Sequence, residues 1–177
     1  YAFLEAREAK ALAQAEARTS EEVAAFLAGL FNVAAPSERD VNSITAREVL
    51  DRGVARIRDE LNEEPEVQSR LMTEMGKVYA QLGLLDDAEA LYEEALDIRQ
   101  SLTTTTPRQL SEALAGLAGV KHLAGRHDEA ITLYANAIAH AEQDDDPLWL
   151  AVLYRSVGGV HDTLANNAES LAALQSA

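Results

Sequence analysis

A single interval of 42 recurs along this chain and constrains its fold more than any other feature. Small and large residues follow each other in the same order in two stretches, and every member of the first has a counterpart one interval later. The pairs are Gly76 and Ala118, Gly83 and Gly125, Ala88 and Ala130, Tyr92 and Tyr134, and Ala95 and Ala137. The same interval of 42 leads back to a small-large-small-large set at 46–54, and a weaker match follows at 157–160 with an offset of 40. Such self-similarity indicates a repeat array, whose units bury their apolar faces against each other.

The spacing within one unit indicates two antiparallel helices. Gly76 and Tyr79 are three positions apart and therefore share one side of a helix, where a glycine permits close approach of a neighbour. Ala88, Tyr92 and Ala95 form a small-large-small stripe on the next helix. We expect the two faces to interlock as a helix pair.

Start and stop signals set the helix bounds. Gly83 and Gly125 stand where the first helix of each pair must end. Capping boxes open at Thr45 and Thr106, and Pro107 takes the first helical position after the second box. We predict helices over residues 2–18, 20–34, 45–62, 66–82, 86–101, 107–124, 128–143, 147–164 and 167–177.

The predicted organisation has two parts. Residues 1–44 form an N-terminal helical lead-in and a polar loop, and residues 45–177 form the repeats. The repeat boundaries are a half repeat at about 45–65, full repeats at 66–106 and 107–146, and a truncated one at 147–177. Because the chain starts at Tyr1 and has no signal-peptide pattern, we expect a fragment of a longer protein.

Composition excludes several classes of function. The 30 acidic and 15 basic side chains give a formal charge of −15, which disfavours nucleic acids and anionic membrane surfaces. The absence of cysteine excludes disulfides, thiolate zinc sites and a cysteine nucleophile. No apolar run approaches the roughly 20 residues that span a bilayer. We therefore expect neither nucleic-acid binding nor membrane insertion by this chain.

The repeat residues resemble a known signature. Gly76 and Tyr79, followed by Ala88, Tyr92 and Ala95, are similar to the tetratricopeptide pattern Leu-Gly-x-x-Tyr and then Ala-x-x-x-Phe/Tyr-x-x-Ala. The interval of 42, longer than the usual length of about 34, resembles that of kinesin light chains. The resemblance spans 45–177 and implies an all-α, right-handed superhelix of antiparallel helix pairs. It also implies a concave groove, lined by the first helix of each pair, that binds peptides.

A second resemblance concerns the context of the repeats. Residues 26–38 and 44–53 are similar to the stretch that leads into the tetratricopeptide arrays of bacterial membrane-associated serine/threonine protein kinases. No kinase motif is present in this chain. The resemblance implies an accessory region of a signalling protein, without catalysis of its own, within a protein that is itself membrane-anchored.

Candidate binding residues lie on the helix faces opposite the packing stripes. They are Arg70, Thr73, Lys77 and Gln81 in one repeat, Glu112 and His122 in the next, and Arg155 and Asp162 in the third. Arg70, Lys77 and Arg155 suit an acidic peptide or a C-terminal carboxylate, unless they are ordinary solvated charges. The asparagines common on this face in kinesin light chains are replaced by Ala115 and Gly116.

No catalytic residue, cofactor site or metal site is predicted. The histidines are His122, His127, His140 and His161, and no pair of them has the i, i+4 spacing of a zinc helix, which favours surface or packing roles. Residues 144–146 lack the alternation of a calcium loop and suit a helix cap. Trp149 is either a core residue or a platform for a ligand.

Two functions remain open. The first is a protein-interaction scaffold that holds a peptide or a partner domain. The second is self-association through the exposed apolar face of the last repeat, which would bring attached domains together.

Overall fold

A computed structural model describes residues 45–144 and 146–175. Over these ranges the chain forms six helices and no strand, which confirms the all-α class. The helices are α1 (Ala46–Glu60), α2 (Pro65–Gln81), α3 (Leu85–Ser101), α4 (Pro107–Leu123), α5 (His127–Ala141) and α6 (Pro147–Gln175). The helices predicted over 2–18 and 20–34, and the polar loop before residue 45, lie outside the described residues.

The chain divides into two compact units, residues 1–71 and 72–177. In the described part of the first unit, α1 begins with the predicted capping box. The Thr45 hydroxyl accepts from the Glu48 N–H at 3.2 Å, and the Glu48 carboxylate accepts from the Thr45 N–H at 2.8 Å. Ile57 is fully buried, and its carbonyl accepts a hydrogen bond from the Gln68 amide at 3.3 Å.

The second unit is built from packed helices whose repeated residues occupy equivalent positions. Helix α4 packs against both α3 and α5, and α5 packs against α6. The alanines Ala88 and Ala130 are fully buried, and Tyr92 and Tyr134 are 3% and 7% exposed. The repeat interval therefore relates side chains that have the same environment, as the sequence predicts.

Two tight turns close the helix pairs. Gly83 and Gly125 have φ angles of 76° and 78°, a conformation that side chains other than glycine rarely adopt. After Gly125, the Arg126 N–H donates to the Lys121 carbonyl at 2.8 Å, while the Gly125 N–H donates to the His122 carbonyl at 2.9 Å. This pair of bonds is the Schellman motif, which satisfies carbonyls at the helix end. The predicted stop signals are confirmed.

Proline begins each first helix of a pair, at Pro65, Pro107 and Pro147. The offset from Pro107 to Pro147 is 40, which explains why the final match in the sequence has a shorter interval than the others. Asp146 caps α6, and its Oδ1 accepts from the N–H groups of Leu148 and Trp149 at 3.0 and 3.1 Å. The predicted capping role of this acidic segment is thus confirmed at Asp146.

The end of the array differs from the prediction. The sequence predicts two helices there, at 147–164 and 167–177, whereas α6 runs without a break from Pro147 to Gln175. The segment 164–167 contains neither proline nor a glycine that could adopt a positive φ, so nothing stops the helix there. The predicted break was wrong.

Candidate functional site

A groove of about 300 Å³ lies among the helices of the second unit. Its lining combines small residues of α4 with aromatic and aliphatic residues of α5 and α6, and it includes two charged side chains. The lining residues are Lys77, Glu112, Ala115, Gly116, Tyr134, Trp149, Val152, Leu153 and Ser156.

Gly116, which lines the groove, lets α4 pack closely against the buried Tyr92 ring. A Cβ atom placed there would come within 2.5 Å of the Tyr92 Cζ atom, and one placed at Gly76 would come within 3.0 Å of Tyr92 Cε2. The buried Tyr92 ring therefore fills the space between α2 and α4 that two glycines leave open. Burial raises the pKa of Tyr92 to about 12, so the phenol is neutral and serves as packing.

Tyr134 performs the equivalent role one repeat later. Its hydroxyl interacts with the side chain of Ser156, the residue that corresponds to Gly116 at the offset of 40. Burial raises the pKa of the Tyr134 phenol as well. A polar contact thus replaces the close glycine approach, and both members of the pair line the groove.

Trp149 is held in place by two contacts. Its indole N–H donates to the Ser111 hydroxyl at 2.8 Å, and the fully buried Ser111 donates in turn to the Ala137 carbonyl at 2.7 Å. The Arg108 guanidinium lies 4.5 Å from the centre of the indole ring, within the range of a cation–π contact. Arg108 is itself bonded to Glu112 at 2.7 Å. Trp149 is therefore a fixed and partly exposed wall of the groove.

Cations near the groove are paired with carboxylates. Lys77 Nζ lies 2.7 Å from Glu74, and Arg108 binds both Glu112 and Asp146. Hydrogen bonds from the backbone N–H of Trp149 and from the Arg108 side chain hold the pKa of Asp146 below its usual value. The positive charge on the described lining is thus already neutralised by neighbouring acids.

The structure brings two of the predicted site residues into the groove. Lys77 and Glu112 line it, whereas Thr73 is only 3% exposed and is therefore inaccessible to a ligand. Arg70 is half-buried and belongs to the first unit.

The other predicted residues lie elsewhere. Gln81, Arg155 and Asp162 are exposed, but they are not among the lining residues. Val152 is three positions before Arg155 and is therefore predicted on the same face of α6, and unlike Arg155 it lines the groove. For Trp149, the sequence left open a platform role, and its place on the lining is compatible with that role.

His122 forms a contact that the sequence search did not find. Its Nδ1 atom lies 3.1 Å from Nδ1 of His127, across the turn between α4 and α5. Burial and the nearby His127 lower the pKa of His122. A search for i, i+4 pairs on one helix overlooks this arrangement, since the two residues are five apart and belong to different helices. No group of three or more potential metal ligands occurs in the part of the chain that the structure describes.

Stacked antiparallel helix pairs with a groove among their first helices define a helical-repeat scaffold. Comparison with known families identifies which kind. Tetratricopeptide repeat models match residues 71–105 and 109–177, and the chain is a tetratricopeptide repeat protein. No curated protein matches it. These repeats generally mediate protein–protein interaction and are typically non-catalytic. Among the described helices, none has the length and apolar character needed to cross a bilayer.

Proposed function

We propose that this chain is a non-catalytic scaffold whose groove binds a peptide segment of a partner protein. The observation that carries the proposal is the fixed position of Trp149. The Ser111 hydrogen bond and the Arg108 contact hold the indole beside the small residues Ala115 and Gly116. A rigid aromatic wall next to small side chains provides a socket for a ligand side chain at little entropic cost.

The socket favours an apolar side chain of the peptide. Trp149 and Val152 supply its accessible apolar surface, while Glu112 and Ser156 offer polar atoms to the peptide backbone. Of the three cations predicted to bind an acidic peptide, only Lys77 lines the groove. Lys77 is already paired with Glu74, and an acidic peptide would have to displace Glu74 from Lys77. We therefore assign the main contribution to apolar contact and an accessory one to Lys77.

The test compares two substitutions on the same helix. Peptides that bind the purified protein are selected from a random display library, and their affinities are measured by calorimetry. Val152→Glu should weaken binding by about tenfold or more, because it places a charge in the apolar socket. Tyr154→Glu is the matched control, since Tyr154 is 56% exposed and does not line the groove. Equal affinities for the two variants would exclude this groove as the binding site.

A third variant examines the electrostatic component. Lys77→Glu reverses the charge on the lining, and selection for acidic peptides should then fail if Lys77 recognises them. If apolar contact dominates, the affinity for the selected peptides changes by less than about threefold. A larger loss would assign recognition to the cation instead.

The broader role we propose is that of an accessory region in a bacterial signalling protein such as a serine/threonine kinase. The support is the resemblance of residues 26–38 and 44–53 to the stretch before the repeats of such kinases, together with the kinesin-light-chain-like repeat interval. Sequencing the full-length gene tests it. A kinase domain in the same reading frame is expected, and its absence would refute the assignment.

Self-association is the second candidate function. It is favoured by the exposed apolar side chains of α6, with Leu148 at 79% and Tyr154 at 56%. Association through this helix would remove apolar surface from water at about 25 cal/mol per Å². Light scattering over a concentration series should then show a dimer that Leu148→Glu converts to a monomer. A parent protein that is monomeric at every concentration would exclude the dimer.

A further inference from the structure

We propose that His122 and His127 together form a binding site for a transition-metal dication of the Cu²⁺, Ni²⁺ and Zn²⁺ class. The site lies at the turn between α4 and α5 and is independent of the peptide groove. Neither residue is among those that line the groove.

The distance between the two imidazoles suits chelation. Bonds of about 2.0–2.1 Å from one metal to two nitrogens, at an angle of about 90–110°, place those nitrogens roughly 2.8–3.4 Å apart. The Nδ1 atoms of His122 and His127 are 3.1 Å apart. In the metal-free pair, one Nδ1–H donates to the other Nδ1. On metal binding, that proton moves to Nε2 of its own ring. Both Nδ1 lone pairs are then available to the metal. Because both rings are neutral before and after binding, no net proton is released.

The turn holds the backbone of both histidines in place before any metal binds. Gly125 adopts a positive φ, and the Schellman bonds lock the residues around it. The residue before each histidine is anchored to the same carboxylate. Lys121 Nζ binds one oxygen of Glu89 at 2.5 Å, and Arg126 binds the other. Because α3 thus holds both flanks of the turn, little ordering of the ligands is needed on binding.

The chemistry of the site selects the metal class. Imidazole nitrogens suit copper, nickel and zinc, whereas magnesium and calcium prefer oxygen ligands. The described residues provide no group of three ligands, so water completes the coordination. The chain's charge of −15 favours the approach of a cation, and the two cations that flank the site, Lys121 and Arg126, are neutralised by Glu89 and Glu129. We expect Cu²⁺ to bind most tightly.

The experiment uses untagged protein and CuCl2, NiCl2 and ZnCl2 in calorimetric titrations. His122→Gln and His127→Gln should each lower the Cu²⁺ affinity by about tenfold or more, because each removes one of two ligands. His140→Gln and His161→Gln are the matched controls and should bind as the parent does. MgCl2 in excess should not compete.

A spectroscopic measurement on the parent protein does not depend on how the variants fold. Electron paramagnetic resonance of the Cu²⁺ complex should show hyperfine coupling to two imidazole nitrogens. The proposal is overturned if one nitrogen or none is seen. It is also overturned if the control variants lose as much affinity as the variants of His122 and His127, or if all four bind like the parent.

Discussion

The contact of Tyr92 with Gly116 allows a sharp test of the packing. Replacing Gly116 by alanine adds one methyl group in the middle of α4. That methyl would come within 2.5 Å of the Tyr92 Cζ atom. The ring has little room to move aside, because Tyr92 is only 3% exposed and its other edge packs against Gly76 of α2. The substitution must therefore separate α4 from the ring.

The magnitude follows from two opposing effects. Overpacking by one methyl costs about 1–3 kcal/mol, and alanine gains about 0.5–1 kcal/mol over glycine within a helix. Gly119→Ala is the matched control in the same helix, since its Cβ would lie 3.6 Å from the Tyr134 hydroxyl, an ordinary contact. The gain in helix propensity is common to both variants. Their difference in unfolding free energy therefore isolates the clash, at about 1–3 kcal/mol with Gly116→Ala the less stable.

The assay is urea denaturation followed by far-ultraviolet circular dichroism, with the parent and both variants measured in parallel. A double variant, Gly116→Ala with Tyr92→Leu, should recover part of the difference, because the smaller side chain leaves room for the methyl. The packing argument is refuted if Gly116→Ala is as stable as Gly119→Ala, or if the double variant shows no coupling between the two sites.

Three further predictions concern the turns and charges. Gly125→Ala should cost about 1–2 kcal/mol in urea denaturation, because alanine is strained at a φ of 78°. The pKa of Asp146 is lowered in the folded protein, so this carboxylate stabilises the fold fully only above its unfolded pKa of 3.8, and the free energy of unfolding should fall as the pH drops through the folded pKa. Asp146→Asn should show a shallower loss of stability with acid. Equal slopes of stability against pH for the parent and the variant would contradict the lowered pKa. Glu89→Gln should lower the stability measured in thermal melts by about 1–3 kcal/mol, because it removes a carboxylate partner of the buried Lys121. Glu129→Gln is the matched control and should cost under about 1 kcal/mol, because the Glu129 side chain is 53% exposed.

The sequence is most informative where local chemistry decides the structure. Gly83 and Gly125 could be placed at helix ends because only glycine readily adopts their φ angles, and Thr45 and Thr106 form the capping boxes that their spacing indicates. The burial of Tyr92 and its counterpart followed from the interval alone. These features depend on residues close in sequence or on the repeat itself.

The sequence is less informative where no single recognisable signal decides the structure. The continuity of α6 depends on the absence of a stop signal, which is weaker information than the presence of one. The burial of Thr73 and the pairing of Lys77 with Glu74 are set by neighbouring side chains. The contact of His122 with His127 arises from a turn geometry that a search along single helices does not consider.

The most direct test of the account concerns the two tyrosine rings. Solution NMR of the labelled protein should show nuclear Overhauser contacts from the Tyr92 ring protons to the α-protons of both Gly76 and Gly116. The Tyr134 ring should show contacts to Ala118, the counterpart of Gly76, and to Ser156, the counterpart of Gly116 at the offset of 40. Contacts of both rings to these partners would establish that side chains one repeat interval apart pack equivalently in successive helix pairs. A Tyr92 ring without contacts to either glycine would contradict the repeat packing, and with it the groove.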